Sequence, residues 1–287
     1  MKFDLSDKSL IHGLQGQDFS GQNRSGKSFK NYNLQNANFS GADLKGANFE
    51  GADLTGSNLS NADLTGAILK SAKMTDALCR ETIFIRANLK NAVLEEARLR
   101  AADLTKATLV EANLNGADLS YAICDNIKAN SMSLTQATMY ATSFKEADLA
   151  SVKAYHCAAT NAVFDGAVLS EGNFIEANFH LASFKKAYLF KADVSKALFL
   201  SASLSEAILR EVQGSKAVLA RADLRDANLR DANFDGANFK GSLFTKHDGI
   251  LPPSMWGVNL EGSTYDFKTQ LPVSEERAKI QFGMRRV

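Results

Sequence analysis

The sequence predicts an all-β fold of the simplest kind, a chain that runs extended and turns a corner every five residues. Three observations predict it. An apolar residue class recurs with a period of five from Leu14 to Phe244, and Leu or Phe fills 34 of the 43 such positions between 34 and 244. Two residues earlier in each unit, Ala fills 32 of the 42 positions between 37 and 242. The other three positions are dominated by Asn, Asp, Lys, Ser and Thr. A period of five matches neither the 3.6 of a helix nor the 2 of a plain strand. It fits about three extended residues followed by a corner, and a repeat of this kind decides the architecture before any other signal.

Stretches such as Ala37-Asn38-Phe39-Ser40-Gly41, Ala42-Asp43-Leu44-Lys45-Gly46 and Ala227-Asn228-Leu229-Arg230-Asp231 read A-(N/D)-(L/F)-x-x. This pattern, over about four-fifths of the chain, resembles the pentapeptide-repeat family. The resemblance implies a right-handed quadrilateral parallel β-helix, in which four five-residue units close one square coil. Coils then stack at the spacing of adjacent strands, so residues 14–244 make about 12 coils and a rod roughly 55 Å long. The expectation is one uninterrupted β-helix, with Leu59, Leu99, Phe179 and Phe239 on one interior column because multiples of 20 separate them.

In that arrangement the central residue and the Ala two before it point inward, and the exceptions test this. Ile127, Met132, Val152, Cys157 and Val212 are larger than the Ala they replace. All but Met132, which keeps Leu134, share a unit with a shrunken centre: Ala129, Ala154, Ala159 and Gly214. Exchanging large for small conserves volume, which a packed interior tolerates best. Gly41, Gly46, Gly51, Gly56 and Gly66 occupy the last position of their units, where a corner can need φ > 0. Outward charges give two columns at 20-residue spacing, Lys145–Asp165–Lys185 and Glu171–Lys191–Glu211.

The chain divides into an N-terminal cap at 1–13, the repeat β-helix at 14–246, and a terminal segment at 247–287. Met1–Gly13 carries Phe3, Leu5, Leu10 and Ile11 out of register and covers the first coil, whose edge would otherwise be open. Pro252 and Pro253 mark a loop, after which the motif resumes shifted by one at Val258-Asn259-Leu260 and Ser263-Thr264-Tyr265. Ser274 before Glu275 and Glu276 is a helix start, and a short helix near 275–282 closes the last coil with Ala278 and Phe282. Trp256, the only tryptophan, is expected to anchor this cap.

Formal charge is +1, and residues 14–244 hold 25 basic and 25 acidic side chains. No run of like charges forms the basic stripe of a nucleic-acid binder, so direct nucleic-acid binding is not expected. The start has no apolar core like that of a signal peptide, and nothing approaches 18 consecutive apolar residues, so no membrane partner is expected. Cys79, Cys124 and Cys157 fall in inward slots, as free thiols in a reducing cytoplasm would. His12, His156, His180 and His247 have no partners at metal-ligand spacing. No nucleophile elbow, phosphate loop or dinucleotide fingerprint occurs. Asp and Asn before each centre recur too regularly to be acid/base pairs. No cofactor and no enzymatic activity are expected.

What remains is surface. Units from 34 to 119 and from 217 to 239 keep to the pattern, and 121–216 departs from it, with large apolar side chains expected outward only there. On 20-residue stacking, Tyr121, Tyr140, His180, Leu181, Leu198 and Leu200 converge near one face and corner. Val168, Tyr188 and Ile208 form a column on the opposite face, with Phe190 beside it. Such residues either stabilise the stack or make an interaction surface. The reading is a non-enzymatic cytoplasmic scaffold that binds another protein, or itself as a dimer, through its outer faces. The alternative that the resemblance offers is a DNA-mimicking gyrase-protection protein, which requires a strongly negative rod; this one is neutral.

Overall fold

The computed structural model describes residues 13–245, 253–266 and 268–287. The expected N-terminal cap therefore lies, up to His12, outside the described residues, as do His247 and Pro252. The chain forms two compact bodies, Met1–Thr138 and Met139–Val287, each a quadrilateral parallel β-helix.

Backbone hydrogen bonding explains the five-residue period. Asn38 bridges Asp18 and Asn58 in parallel, so each rung of the ladder lies four units from the next along the chain. The unit Ala37–Gly41 has five N–H groups. Phe39 and Gly41 donate to Asn58 and Ser60 of the next coil at 2.7 and 2.9 Å, and Asn38 donates to Gln17 of the previous coil at 2.8 Å. Ala37 closes the preceding turn onto the Leu34 carbonyl at 3.0 Å. The fifth, on Ser40, donates to the Asn38 side chain at 3.1 Å. A backbone donor without a partner is costly wherever water is excluded, so the recurring Asn or Asp is part of the fold.

Each corner is a four-residue turn whose third residue is left-handed, as at Gly41 with φ 64°. Non-glycine residues hold the same conformation, among them Asn61 (φ 60°), Ala101 (φ 57°) and Leu181 (φ 58°). An L-residue there costs roughly 1–2 kcal/mol. The turn bond and the ladder bonds on both sides hold it in place.

From Phe29 to Phe244 both inward slots are buried, including Ile127, Met132, Val152, Cys157, Val212 and their partners, whereas Gln17, Gln22, Arg24 and Lys27 in the same slots of the first described coil are not. Leu59 and Leu99 lie in the core of the first body, Phe179 and Phe239 in that of the second. Aromatic rings repeat at the coil spacing: Phe19 on Phe39 at 4.8 Å, Phe164 on Phe184 at 4.8 Å, Phe179 on Phe199 at 5.0 Å. Neighbouring columns meet edge to face, as Phe39 and Phe49 do at 5.7 Å. Both geometries suit the aromatic quadrupole.

One of the two charge columns forms an ion pair, Lys191 to Glu211 at 3.6 Å. In the other, stacked neighbours also meet. Asp165 accepts from the Ser183 hydroxyl and from the Lys185 backbone N–H of the next coil.

Near the end of the second body the ladder continues across longer loops, pairing Asn233 with Asn259, Asn238 with Thr264 and Leu243 with Gln270. Val258, Leu260 and Tyr265 are buried there. Strand β1 (Thr264–Tyr265) pairs in parallel with β2 (Arg285–Arg286). Between them runs helix α1 (Glu275–Phe282), with the Ser274 hydroxyl accepting from the Arg277 N–H at 3.3 Å and Gly283 left-handed at its end. Ala278 and Phe282 are buried and close the coil. Trp256 does not anchor the cap. It is half exposed, with the Arg230 guanidinium 5.9 Å from its ring, and Met255 takes the buried place.

Candidate interaction surface

Val168, Tyr188 and Ile208 are consecutive rungs of one parallel ladder in the second body, and their side chains share one outer face. Tyr188 is 52% exposed; Val168 and Ile208 are half-buried beside it. Phe190 sits at the adjoining corner. The Lys191 ammonium stands 5.0 Å and the Arg210 guanidinium 5.7 Å from its ring centre. Both cations also approach Glu211, at 3.6 and 3.8 Å. The cation–π contacts and the ion pairs together fix the ring as a plate next to two cations that share one carboxylate.

The opposite face carries Leu198, exposed between Asn178 and Val218 in its ladder. At the corner that follows, the Leu200 carbonyl accepts the Leu181 N–H at 3.0 Å and lies 3.0 Å from His180 Nδ1. That contact commits one ring nitrogen of His180 to the backbone. Leu181 is 50% exposed on its left-handed turn. Leu200 is half-buried and forms one wall of a groove of about 490 Å³ lined also by Ala220, Arg221, Lys240, Gly241, Asp266 and Lys268. Tyr140 is exposed three coils from Leu200 in the same corner register. Tyr121 belongs to the first body, where it is exposed with the Arg100 guanidinium 4.7 Å from its ring.

Outward apolar residues are not confined to 121–216. Ile68, in a regular part of the first body, is 39% exposed on the ladder between Asn48 and Asn88. A single β-branched residue on a sheet face strengthens the stack, a role that spacing alone does not distinguish. Sequence reading also missed a polar cluster. Tyr155 meets the His156 ring edge-on at 4.8 Å, His156 Nδ1 lies 3.3 Å from Glu176, and Glu176 pairs with Lys196 at 2.9 Å. The hydrogen bond and then the charge of Lys196 hold the Glu176 carboxyl below its usual value. The 20-residue spacing of 156, 176 and 196 was the available signal. His156 and His180 stand at different corners and engage different partners.

Burial pushes the Cys79 and Cys157 thiols up to about 12 and raises Cys124 as well, so none of the three is a nucleophile at neutral pH. Among the described residues no three His, Cys, Asp or Glu side chains could hold a metal ion together, and no helix is long and apolar enough to cross a membrane.

Eight copies of the family model for pentapeptide repeats match the chain, over residues 33–70, 72–109, 82–120, 97–136, 147–185 and 215–245. Among solved structures it is similar to HetL, a pentapeptide repeat protein involved in heterocyst differentiation regulation from the cyanobacterium Nostoc. Identity is 26% and the TM-score 0.53, over 78% of this chain and 90% of HetL. A pentapeptide repeat protein from the Arabidopsis thaliana thylakoid lumen is 34% identical over 40% of this chain and 67% of its own, with a TM-score of 0.28. QnrB1, a plasmid-mediated fluoroquinolone resistance protein, is 16% identical over 94% of each chain, with a TM-score of 0.28. No curated protein matches the chain.

Proposed function

Because the chain belongs to the pentapeptide-repeat family, with its right-handed quadrilateral β-helix, we propose that it is a non-enzymatic scaffold that docks a protein partner, or a second copy of itself, on the outer faces of the second body. One observation carries the reading. Tyr188 and Leu198 stand exposed on opposite faces, each near further apolar groups, and the Lys191 charge beside Tyr188 and Phe190 is already paired with Glu211. Apolar area of this kind, rimmed by polar residues, is what a protein interface buries.

The similarity to HetL, a protein involved in regulation, supports a role exerted through partners. The compartment we propose is the cytoplasm, which suits three unpaired, buried thiols. Nothing favours the DNA-mimic alternative, since duplex mimicry needs an excess of negative charge and the repeats carry 25 acids against 25 bases.

The test changes Tyr188 and Phe190 together to Ser, and separately Tyr140 and Leu200 to Ser. We expect native circular dichroism in both, with a lower oligomer mass or weaker partner capture for at least one pair. If neither pair changes either readout, these side chains only stabilise the stack and the docking reading fails.

A further inference from the structure

The groove beside Leu200 has a chemistry that the apolar faces do not. Its floor is Gly241, at φ 70°, where the chain carries no side chain. A Cβ there would meet Arg221 Cγ at 3.5 Å and Lys268 Cβ at 3.9 Å, so the stems of two cations flank the open floor. Lys240 precedes Gly241 and completes the polar side; Leu200 and Ala220 form the apolar side.

The groove also contains one carboxylate, Asp266, and that group is committed. It accepts from the Gly241 and Lys268 N–H groups at 2.9 and 3.0 Å and from the Thr269 hydroxyl at 3.0 Å. It thereby ties the segment after β1 against the last regular coil. Arg221 and Lys240 form no ion pair among the described residues, whereas Lys186, Lys191, Lys196 and Arg225 of the same body each have a carboxylate within 4 Å. Arg221 and Lys240 against one committed carboxylate leave the groove with an excess of positive charge.

We propose that this groove is the anion-accepting end of the docking surface. It takes a partner segment in which an apolar residue lies on Leu200 and Ala220, and a neighbouring Asp or Glu carboxylate sits over Gly241 between Arg221 and Lys240. The inference rests on the docking reading and adds the chemistry of the partner. Carboxylates bound by guanidinium and ammonium donors form charge-assisted hydrogen bonds, stronger than neutral ones. The open floor at Gly241 lets the anion approach closer than it could over any other residue.

The probe is a fluorescently labelled ten-residue peptide of alternating Leu and Glu, with a Leu/Gln peptide as its neutral counterpart. Fluorescence anisotropy on the full chain should show the Glu peptide binding at least ten-fold more tightly than the Gln peptide. Arg221→Glu with Lys240→Glu should remove that preference. A charge-matched control in the first body, Lys70→Glu with Lys90→Glu, should retain it. Equal binding of the two peptides, or no binding of either, overturns the proposal. Equal losses in the two double variants also overturn it, because the attraction is then diffuse. These outcomes leave the docking reading standing, since that reading is judged by oligomer mass and partner capture in the Tyr and Leu variants.

Discussion

The ring of Phe234 fills the space in which a side chain on Gly214, one coil earlier, would stand. The repeat pattern alone assigns that compensation to Val212, within the same unit as Gly214. The nearest atoms come from the coil above, because parallel stacking sets residue 234 directly over residue 214. Gly172 is different: its missing Cβ is replaced by the ring of Phe174 in the same unit.

Restoring the repeat pattern at position 214 should therefore do harm. Gly214→Leu forces Phe234 off its position, and overpacking of this kind costs about 1–3 kcal/mol. Combining it with Phe234→Ala should cost less than the sum of the two single changes, the sign of coupled packing. Val212→Ala leaves a void and should cost about 1–3 kcal/mol. Urea midpoints at constant slope measure all four variants. A neutral Gly214→Leu would show that the ring has somewhere else to go.

Ser57 occupies an Ala slot, fully buried, and its hydroxyl has no hydrogen-bond partner. Ser263 stands in an equivalent slot with its hydroxyl 2.6 Å from the Leu260 carbonyl. Removing an unsatisfied buried polar group relieves a penalty of about 1–3 kcal/mol. Ser57→Ala should raise the thermal midpoint, and Ser263→Ala should not.

At the left-handed corner the usual ranking of Ala and Gly reverses. Ala101 holds φ 57° and Ala141 φ 53°. Ala101→Gly and Ala141→Gly relieve steric strain that exceeds the added chain entropy, so each should stabilise by about 0.5–1 kcal/mol. Gly41→Ala should shift the midpoint by a similar amount in the other direction. Differential scanning calorimetry of the three variants decides it.

The Asp residues before the centres should set the acid limit of stability. Desolvation is the largest influence on Asp53 and Asp63, and it raises both. The combined hydrogen bonds from Thr55 and Gln35 to Asp53, and from Thr65 and Lys45 to Asp63, outweigh it and leave both below their ordinary value of 3.8. A carboxyl with a depressed folded-state pKa stabilises above its unfolded value, and the contribution is lost as pH falls through the folded one. Stability should therefore fall below about pH 4. Asp53→Asn with Asp63→Asn keeps the turn-capping oxygen, and should flatten that fall with little change at pH 7. An unchanged acid limb would assign it to other groups.

The five-residue period by itself determined which side chains face inward, where the corners lie and how long a coil is. Each unit closes its own turn and fills its own share of the core, so local pattern and global fold coincide. It also located the ladder Val168–Tyr188–Ile208 and the helix after Ser274, since a fixed register and a helix start are both countable. Only the tertiary structure decided what fills a gap left by glycine, because the answer at Gly214 lies four units further along the chain and one coil up the stack. The same holds at the end of the second body. There the coil lengthens, the counting rule lapses, and Lys268 comes to stand beside Arg221 across Gly241. Trp256 departs from expectation for that reason: outside the register, its single apolar ring gave no indication of which way it faces.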